Sequence, residues 1–255
     1  MPNSFNTVRL FNTVDYAVVD YESASDTIIE QAAQRNSYGV FALPVHGLVT
    51  AVQDLLMREA TQQAQMIVPD GQPIRWAMNY FHQTDLKDRV YGPTLTLYVL
   101  RKANERGLSV FLYGGNTQET LGKFADFIRE KYPKVTVCGQ YREEEADGNT
   151  LSSEAINKSG AHIVLVGRGC PRQEIWVANR LGSVDAVMMA VGAAFSFHAG
   201  TIRQAPTWMQ NAGLEWLFRL LMEPERLWKR YLLTNGYFIY LFLKEAILFR
   251  HWRLN

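Results

Sequence analysis

Apolar residues follow two rhythms through the first 200 positions. Short, mostly apolar runs occupy 40–43, 66–68, 108–113, 135–138, 161–166 and 187–191. Runs of this length, bounded by glycine, proline or polar residues, are the pattern of strands buried on both faces. Between them apolar residues recur every three or four positions, as on an amphipathic helix. One such helix is expected to start on Ser25 and Asp26 as caps and run through Ile29 and Ala32. Another covers 48–57, and a third covers 94–106 with Gly107 as its stop. A fourth is capped by Thr117 and ends near 132, and Pro171 suits the first turn of a fifth. Strand, glycine turn, helix and strand in alternation specify an α/β fold, a Rossmann-like parallel sheet flanked by helices. Ligands of such sheets collect at the carboxyl ends of the strands. Gly71, Gly114, Gly115, Gly167, Gly169 and Gly192 all follow apolar runs and are expected along that edge.

The rhythm changes after about residue 205. Positions 208–222 and 224–233 read as two helices parted at Pro224, because proline disfavours helix in the residue before it. The apolar run 231–243 is interrupted by Thr234, Asn235 and Gly236 and ends at Lys244 and Glu245. It is too short to span a bilayer, and an interfacial amphipathic segment fits it better. The chain therefore divides into an α/β core over 1–204 and a helical appendage over 205–255.

Charge sharpens this division. The net charge is only +1, yet 217–255 holds seven Lys and Arg against three Glu, a net +4, which leaves −3 on the rest. Four of the six tryptophans, Trp208, Trp216, Trp228 and Trp252, lie in the last quarter of the chain. A basic, aromatic tail meets anionic groups. Aromatics interleaved with arginine also suit single-stranded nucleic acid, but the apolar run that follows favours lipid, so no nucleic acid partner is expected. Cys138 and Cys170 stand far apart in separate apolar contexts, which suggests a reducing compartment. The first 20 residues lack the pattern of a signal peptide. The expected location is cytoplasmic, peripheral on the inner face of the membrane.

Candidate chemistry falls on the strand ends. Pro69-Asp70-Gly71 is either a plain turn or a carboxylate in the cleft, placed as a general base. His46 is a second candidate base or a structural histidine. Gly167-Arg168-Gly169-Cys170-Pro171-Arg172 begins like a dinucleotide loop, but Arg172 stands where its last glycine belongs. It reads as a tight turn, or as backbone N–H groups offered to phosphate. Arg226 and Arg230, four apart, share a helix face that is either solvated or a clamp for phosphates. No Asp-x-Asp, His-Glu-x-x-His or cysteine cluster occurs, so neither a metal nor an organic cofactor is expected.

Six stretches together resemble the WecG/TagA/CpsF glycosyltransferase family. They are VPDGQPIRWA (68–77), RVYGPTLT (89–96), VFLYGG (110–115), VLVGRGCPRQEIW (164–176), AVGAAFSFHAG (190–200) and APTWMQNAGLEWLFRLLMEPERLWKRYL (205–232). The resemblance implies an inverting, metal-independent transfer of an N-acetylmannosamine-type or related sugar from its UDP derivative. The acceptor would be a polyprenyl-diphosphate-linked saccharide destined for a cell-surface polymer such as teichoic acid. It puts the base on Asp70, a donor contact on Gln173 and the basic residues of the appendage on Arg219, Arg226 and Arg230. Gly71, Gly114, Gly115, Gly167, Gly192, His46 and Ser196 complete the expected substrate site. Residues 205–232 would close that site, and 233–255 would only rest in the membrane interface. A homo-oligomer is compatible with all of this. The chain departs from the family pattern at 42–45, where many members carry an asparagine, and at Phe195-Ser196, where many carry Phe-Asp. A nucleotide-dependent oxidoreductase and a non-catalytic membrane scaffold are the alternative readings.

Overall fold

The computed structural model describes residues 5–142 and 151–253; the side chains of Arg226 and Arg230 are among those outside the described set. A two-stranded antiparallel ribbon, β1 (Thr7–Leu10) and β2 (Val14–Ala17), opens the chain. The main sheet has six parallel strands: β3 (Tyr38–Leu43), β4 (Met66–Pro69), β5 (Ser109–Gly114), β6 (Thr136–Tyr141), β7 (Ile163–Gly167) and β8 (Val187–Ala190). Their spatial order is β4-β3-β8-β7-β5-β6. The six apolar runs are these six strands.

Alternation along each strand supplies two apolar faces. Val40, Ala42, Val110, Leu112, Ile163 and Leu165 join one buried cluster, and Phe41, Leu43, Phe111, Tyr113, Val164 and Val166 join the other. The first face is covered by α1 (Tyr21–Ala33), α5 (Gly92–Arg106), α6 (Gln118–Lys131) and α9 (Ala194–His198). The second is covered by α2 (Val45–Gln53), α3 (Leu55–Gln63), α4 (Gln72–His82), α7 (Ser153–Lys158) and α8 (Arg172–Ala178). With both faces sheltered, the other five strands are apolar almost throughout, which makes them legible as runs, whereas the edge strand β6 is only partly buried and carries Gln140.

Several boundaries differ from the sequence reading. The cap of α1 is Asp20, not Ser25 or Asp26. Asp20 accepts from the Ser23 N–H at 2.8 Å, and the Ser23 hydroxyl accepts from the Asp20 N–H at 3.0 Å. Ser25 is buried inside the helix, and Asp26 pairs with Lys102 on α5 at 2.6 Å. The helical pattern 48–57 is two helices, parted at Asp54, whose extended backbone ends α2 and whose carboxylate caps α3 through the Met57 N–H. The stretch 208–222 is also broken. Gly213 takes a left-handed turn (φ +72°) against Trp76, separating α10 (Thr207–Asn211) from α11 (Glu215–Met222).

After Pro224 the outcome is the reverse. One helix, α12 (Pro224–Arg253), runs through Gly236 without a break. A mid-helix glycine costs only about 1 kcal/mol, and the flanking turns pack on the core. Phe238 is buried and stands edge-on to Phe11, and Phe242 lies against Phe81. Residues 233–255 therefore do not merely rest at an interface, and the expected split at Leu232 has no counterpart in the fold. No helix among the described residues is long and apolar enough to cross a membrane.

Candidate active site

The carboxyl ends of β3, β4, β7 and β8 and the turn after β5 open into one cavity of about 810 Å³. Register explains the shared edge: Leu43 lies beside Pro69, Val166 beside Ala190, and Gly114 beside Gly167. The cavity wall includes His46, Asp70, Gly71, Gly115, Gly167, Gln173, Gly192, Ser196 and Arg219. Gly114 is set back from it. A Cβ at Gly114 would stand 2.5 Å from the Gly167 carbonyl oxygen, so this glycine serves the close approach of β5 and β7. The opposite wall comes from the appendage, through Trp216 on α11 and Tyr231, Asn235, Phe238 and Phe242 on α12.

Asp70 follows β4 directly. Its Oδ2 accepts from the N–H of Gly92, the first residue of α5, at 3.1 Å. Gly92 permits this approach, because a Cβ there would meet the Ala42 Cβ at 3.0 Å and Asp70 Oδ2 at 3.2 Å. Burial pushes the Asp70 pKa up to about 6; Arg89, the Gly92 N–H and Arg219 oppose the rise, and Glu215 adds to it.

Arg89, Tyr91 and Glu215 form a buried group beside Asp70. Arg89 donates to Glu215 Oε2 at 2.7 Å, and the Tyr91 hydroxyl donates to Oε1 at 2.5 Å. The Arg89 guanidinium also lies 4.3 Å from the centre of the Tyr91 ring. Burial pulls the Arg89 pKa down, but Glu215 and Asp70 more than offset this and hold it above the ordinary value. The group ties α11 to the segment between α4 and α5. Sequence reasoning missed all three residues. Arg89 and Tyr91 appear only inside the RVYGPTLT stretch, and Glu215 looks like an ordinary acidic residue in a first helical turn.

On the other side of the cavity the Gln173 amide is held at both ends. Its Oε1 accepts from the Gly169 N–H at 3.2 Å, and its Nε2 donates to Glu174 Oε1 at 2.8 Å. Glu174, also missed, is fully buried, and burial raises its pKa to about 7. Ser196 Oγ accepts from Asn116 Nδ2 at 3.2 Å, so the serine at the family's Phe-Asp position is paired with a second polar residue of the wall. Arg219 points its guanidinium toward Phe197, 5.9 Å from the ring centre, and acts on Asp70. Arg226 and Arg230 start α12, but their side chains lie outside the described residues.

A parallel α/β sheet with a cavity at its strand ends, and carboxyl and arginine side chains in the wall, defines an α/β protein with its ligand site at the carboxyl edge of the sheet. Within that class, the chain belongs to the Glycosyl transferase WecG/TagA/CpsF family, whose model matches residues 8–251. It is therefore a glycosyltransferase, and the oxidoreductase and scaffold readings fall away. The chain is similar to the N-acetylglucosaminyldiphosphoundecaprenol N-acetyl-beta-D-mannosaminyltransferase of Bacillus subtilis (strain 168). The two are 29% identical over 188 residues, which covers 73% of this chain and 72% of the relative.

Proposed function

We propose that this enzyme transfers a hexose of the N-acetylmannosamine type from a UDP-sugar to a polyprenyl-diphosphate-linked saccharide, inverting the anomeric carbon without a metal. The setting of Asp70 carries the reading. A carboxyl with a pKa of about 6 is ionised at neutral pH, yet is a stronger base than an ordinary carboxylate. In the proposed step Asp70 takes the proton of the acceptor hydroxyl as its oxygen attacks the anomeric carbon. The bond from that carbon to the UDP oxygen breaks on the opposite face. Negative charge then grows on the diphosphate and needs cationic or N–H donors. Arg219 is one such donor in the wall, and Arg226 and Arg230 are assigned the same duty from the family resemblance. His46, Gly71, Gly115, Gly167, Gln173, Gly192 and Ser196 are assigned to substrate contact, with the core over 1–204 holding the donor.

Two features support a lipid-linked acceptor. The Bacillus relative is named for an undecaprenol-diphosphate acceptor. The cavity wall also combines Asp70 and the glycine turns with the apolar side chains of Trp76, Phe238 and Phe242. An amphiphile with a reactive sugar and an apolar chain fits such a mixed lining. Contact with a membrane surface is supported by the outward face of α12. Trp228, Leu232, Leu233, Ile239, Tyr240, Leu243, Ile247 and Leu248 are exposed on successive turns, with Lys229 and Lys244 among them.

The test is Asp70→Asn, assayed for UDP release with a UDP-sugar and a lipid-linked acceptor. Turnover is expected to fall by roughly 10²–10⁴-fold, with UDP affinity kept within a few fold. Wild-type turnover in this variant would overturn the assignment.

A further inference from the structure

Glu174 is a buried carboxyl in the cavity wall that the proposed reaction does not use. It occupies the first turn of α8, and no solvent reaches it. Its Oε1 accepts from Gln173 Nε2, while its Oε2 is buried with no hydrogen-bond partner among the described residues. A carboxylate in that position would hold a negative charge away from water with one oxygen unsatisfied, an arrangement that strongly favours the neutral acid.

The charged neighbours do not reverse this. Burial outweighs the hydrogen bonds that favour the charged form, from the Gln173 amide, the Glu174 N–H and the Cys170 thiol. Against α8, helix α3 presents Arg58, whose guanidinium is bonded to the carbonyls of Ala51 and Val52, and Glu59, which is exposed. Strands β3 and β8 present no ionisable side chain to α8, because Tyr38 lies on the opposite face of the sheet. Arg168 and Arg172 flank the same turn and line the cavity.

The Gln173 amide shows what the acid holds in place. A free glutamine amide turns over easily, exchanging its donor and acceptor ends. Here the Gly169 N–H requires the oxygen on one side, and Glu174 Oε1 requires the nitrogen on the other. Gly192 faces the amide: a Cβ there would lie in ordinary contact with it, 3.6 Å from Nε2 and 3.8 Å from Oε1. One N–H of Nε2 and one lone pair of Oε1 remain for a ligand, with their directions set.

We propose that Glu174 is a positioning residue for the donor: as a neutral acid it orients Gln173, and it takes up a proton when a nucleoside diphosphate enters the cavity. This rests on the UDP-sugar reading of the site. A diphosphate beside the Gly167–Gly169 turn adds negative charge near the acid and deepens its preference for the neutral form. Protons are therefore absorbed from solution whenever part of the Glu174 population is ionised beforehand.

The test is calorimetric titration of the full-length protein with UDP at pH 7 and 8, in buffers of different ionisation enthalpy, together with donor KM and kcat. Wild type is expected to take up a measurable fraction of a proton. Glu174→Gln keeps an oxygen for Gln173 Nε2 but cannot ionise. It is expected to bind UDP within about threefold of wild type, to lose that uptake and to keep its donor KM flat as pH rises. Glu174→Leu removes the acceptor and is expected to raise donor KM by roughly tenfold, the loss of about one oriented hydrogen bond, with acceptor KM unchanged. Asp70→Asn keeps the Glu174 uptake and so separates the two carboxyls. Equal proton uptake in wild type and Glu174→Gln, or wild-type donor KM in a folded Glu174→Leu, would overturn the inference alone. Failure of wild type to bind UDP would overturn the donor reading as well.

Discussion

At Asp70 one half-buried carboxyl meets two opposed demands. The raised pKa that would make it a useful base in the proposed transfer also makes the folded protein less stable wherever that carboxyl is ionised. The folded state holds its proton up to about pH 6, whereas the ordinary value is 3.8. Between those values the folded chain binds more protons than the unfolded one, so stability falls as pH rises through the window and stays lower above it. A shift of this size corresponds to at most about 3 kcal/mol. Asp70→Asn should therefore raise Tm at pH 7.5 by a few degrees while it lowers turnover by roughly 10²–10⁴-fold, and the gain should vanish near pH 4. Thermal melts at both pH values check this. In wild type, kcat/KM should fall as pH drops through about 6. Position alone made Asp70 legible as a candidate, because an Asp-Gly pair ended an apolar run. Its raised pKa was not legible, since the residues that bury and flank it come from 89–92 and 215–219.

Among the elements, α11 is held to the core by a charged group rather than by apolar packing alone. Arg89 and Glu215 are both buried, and Tyr91 takes up the second carboxylate oxygen. Removing one partner of a buried pair leaves the other charge uncompensated, at a cost of roughly 3–5 kcal/mol. Glu215→Gln keeps the volume and some hydrogen bonding, so a loss of about 2 kcal/mol is the expected outcome in denaturant unfolding. The same change removes a negative charge that raises the Asp70 pKa and leaves Arg89 free to lower it. The acid limb of the pH–rate profile should then move below 6. An unmoved limb would mean that Glu215 does not act on Asp70. This coupling links two segments about 125 positions apart in sequence, and no local pattern announces it. The helix ends were partly legible for the same reason in reverse: Thr117 and Gly107 act within their own turns, while α10 and α11 part at Gly213, which packs on the distant Trp76.

For the molecule as a whole, α12 has two working sides. Its inward side, through Phe238 and Phe242, joins the core and the cavity wall. Its outward side is an apolar stripe with lysines. Truncation after Leu232 removes both, and truncation after Pro206 removes α11 as well. Each should abolish transfer even to a short, water-soluble acceptor, and the first should also lower Tm by exposing Phe11 and Phe81. Leu243→Ser with Ile247→Ser touches only the outward stripe. That double variant should lose co-sedimentation with anionic vesicles while keeping transfer to the soluble acceptor. Retained transfer after truncation at Leu232 would show that the inward side of α12 is dispensable.

The chain by itself determined the six strands, the parallel α/β class and the edge on which the cavity opens. Each of these is written in short-range periodicity, because strands buried on both faces must be apolar throughout and glycine turns must follow them. It also carried enough motif to mark Asp70, Gln173 and Arg219. Only the tertiary structure decided that Arg89, Tyr91 and Glu215 surround Asp70, that Glu174 holds Gln173, and that α12 is one helix with a buried side. Burial, pairing and desolvation arise between segments far apart in sequence, and these set the charge state of a carboxyl and the orientation of an amide.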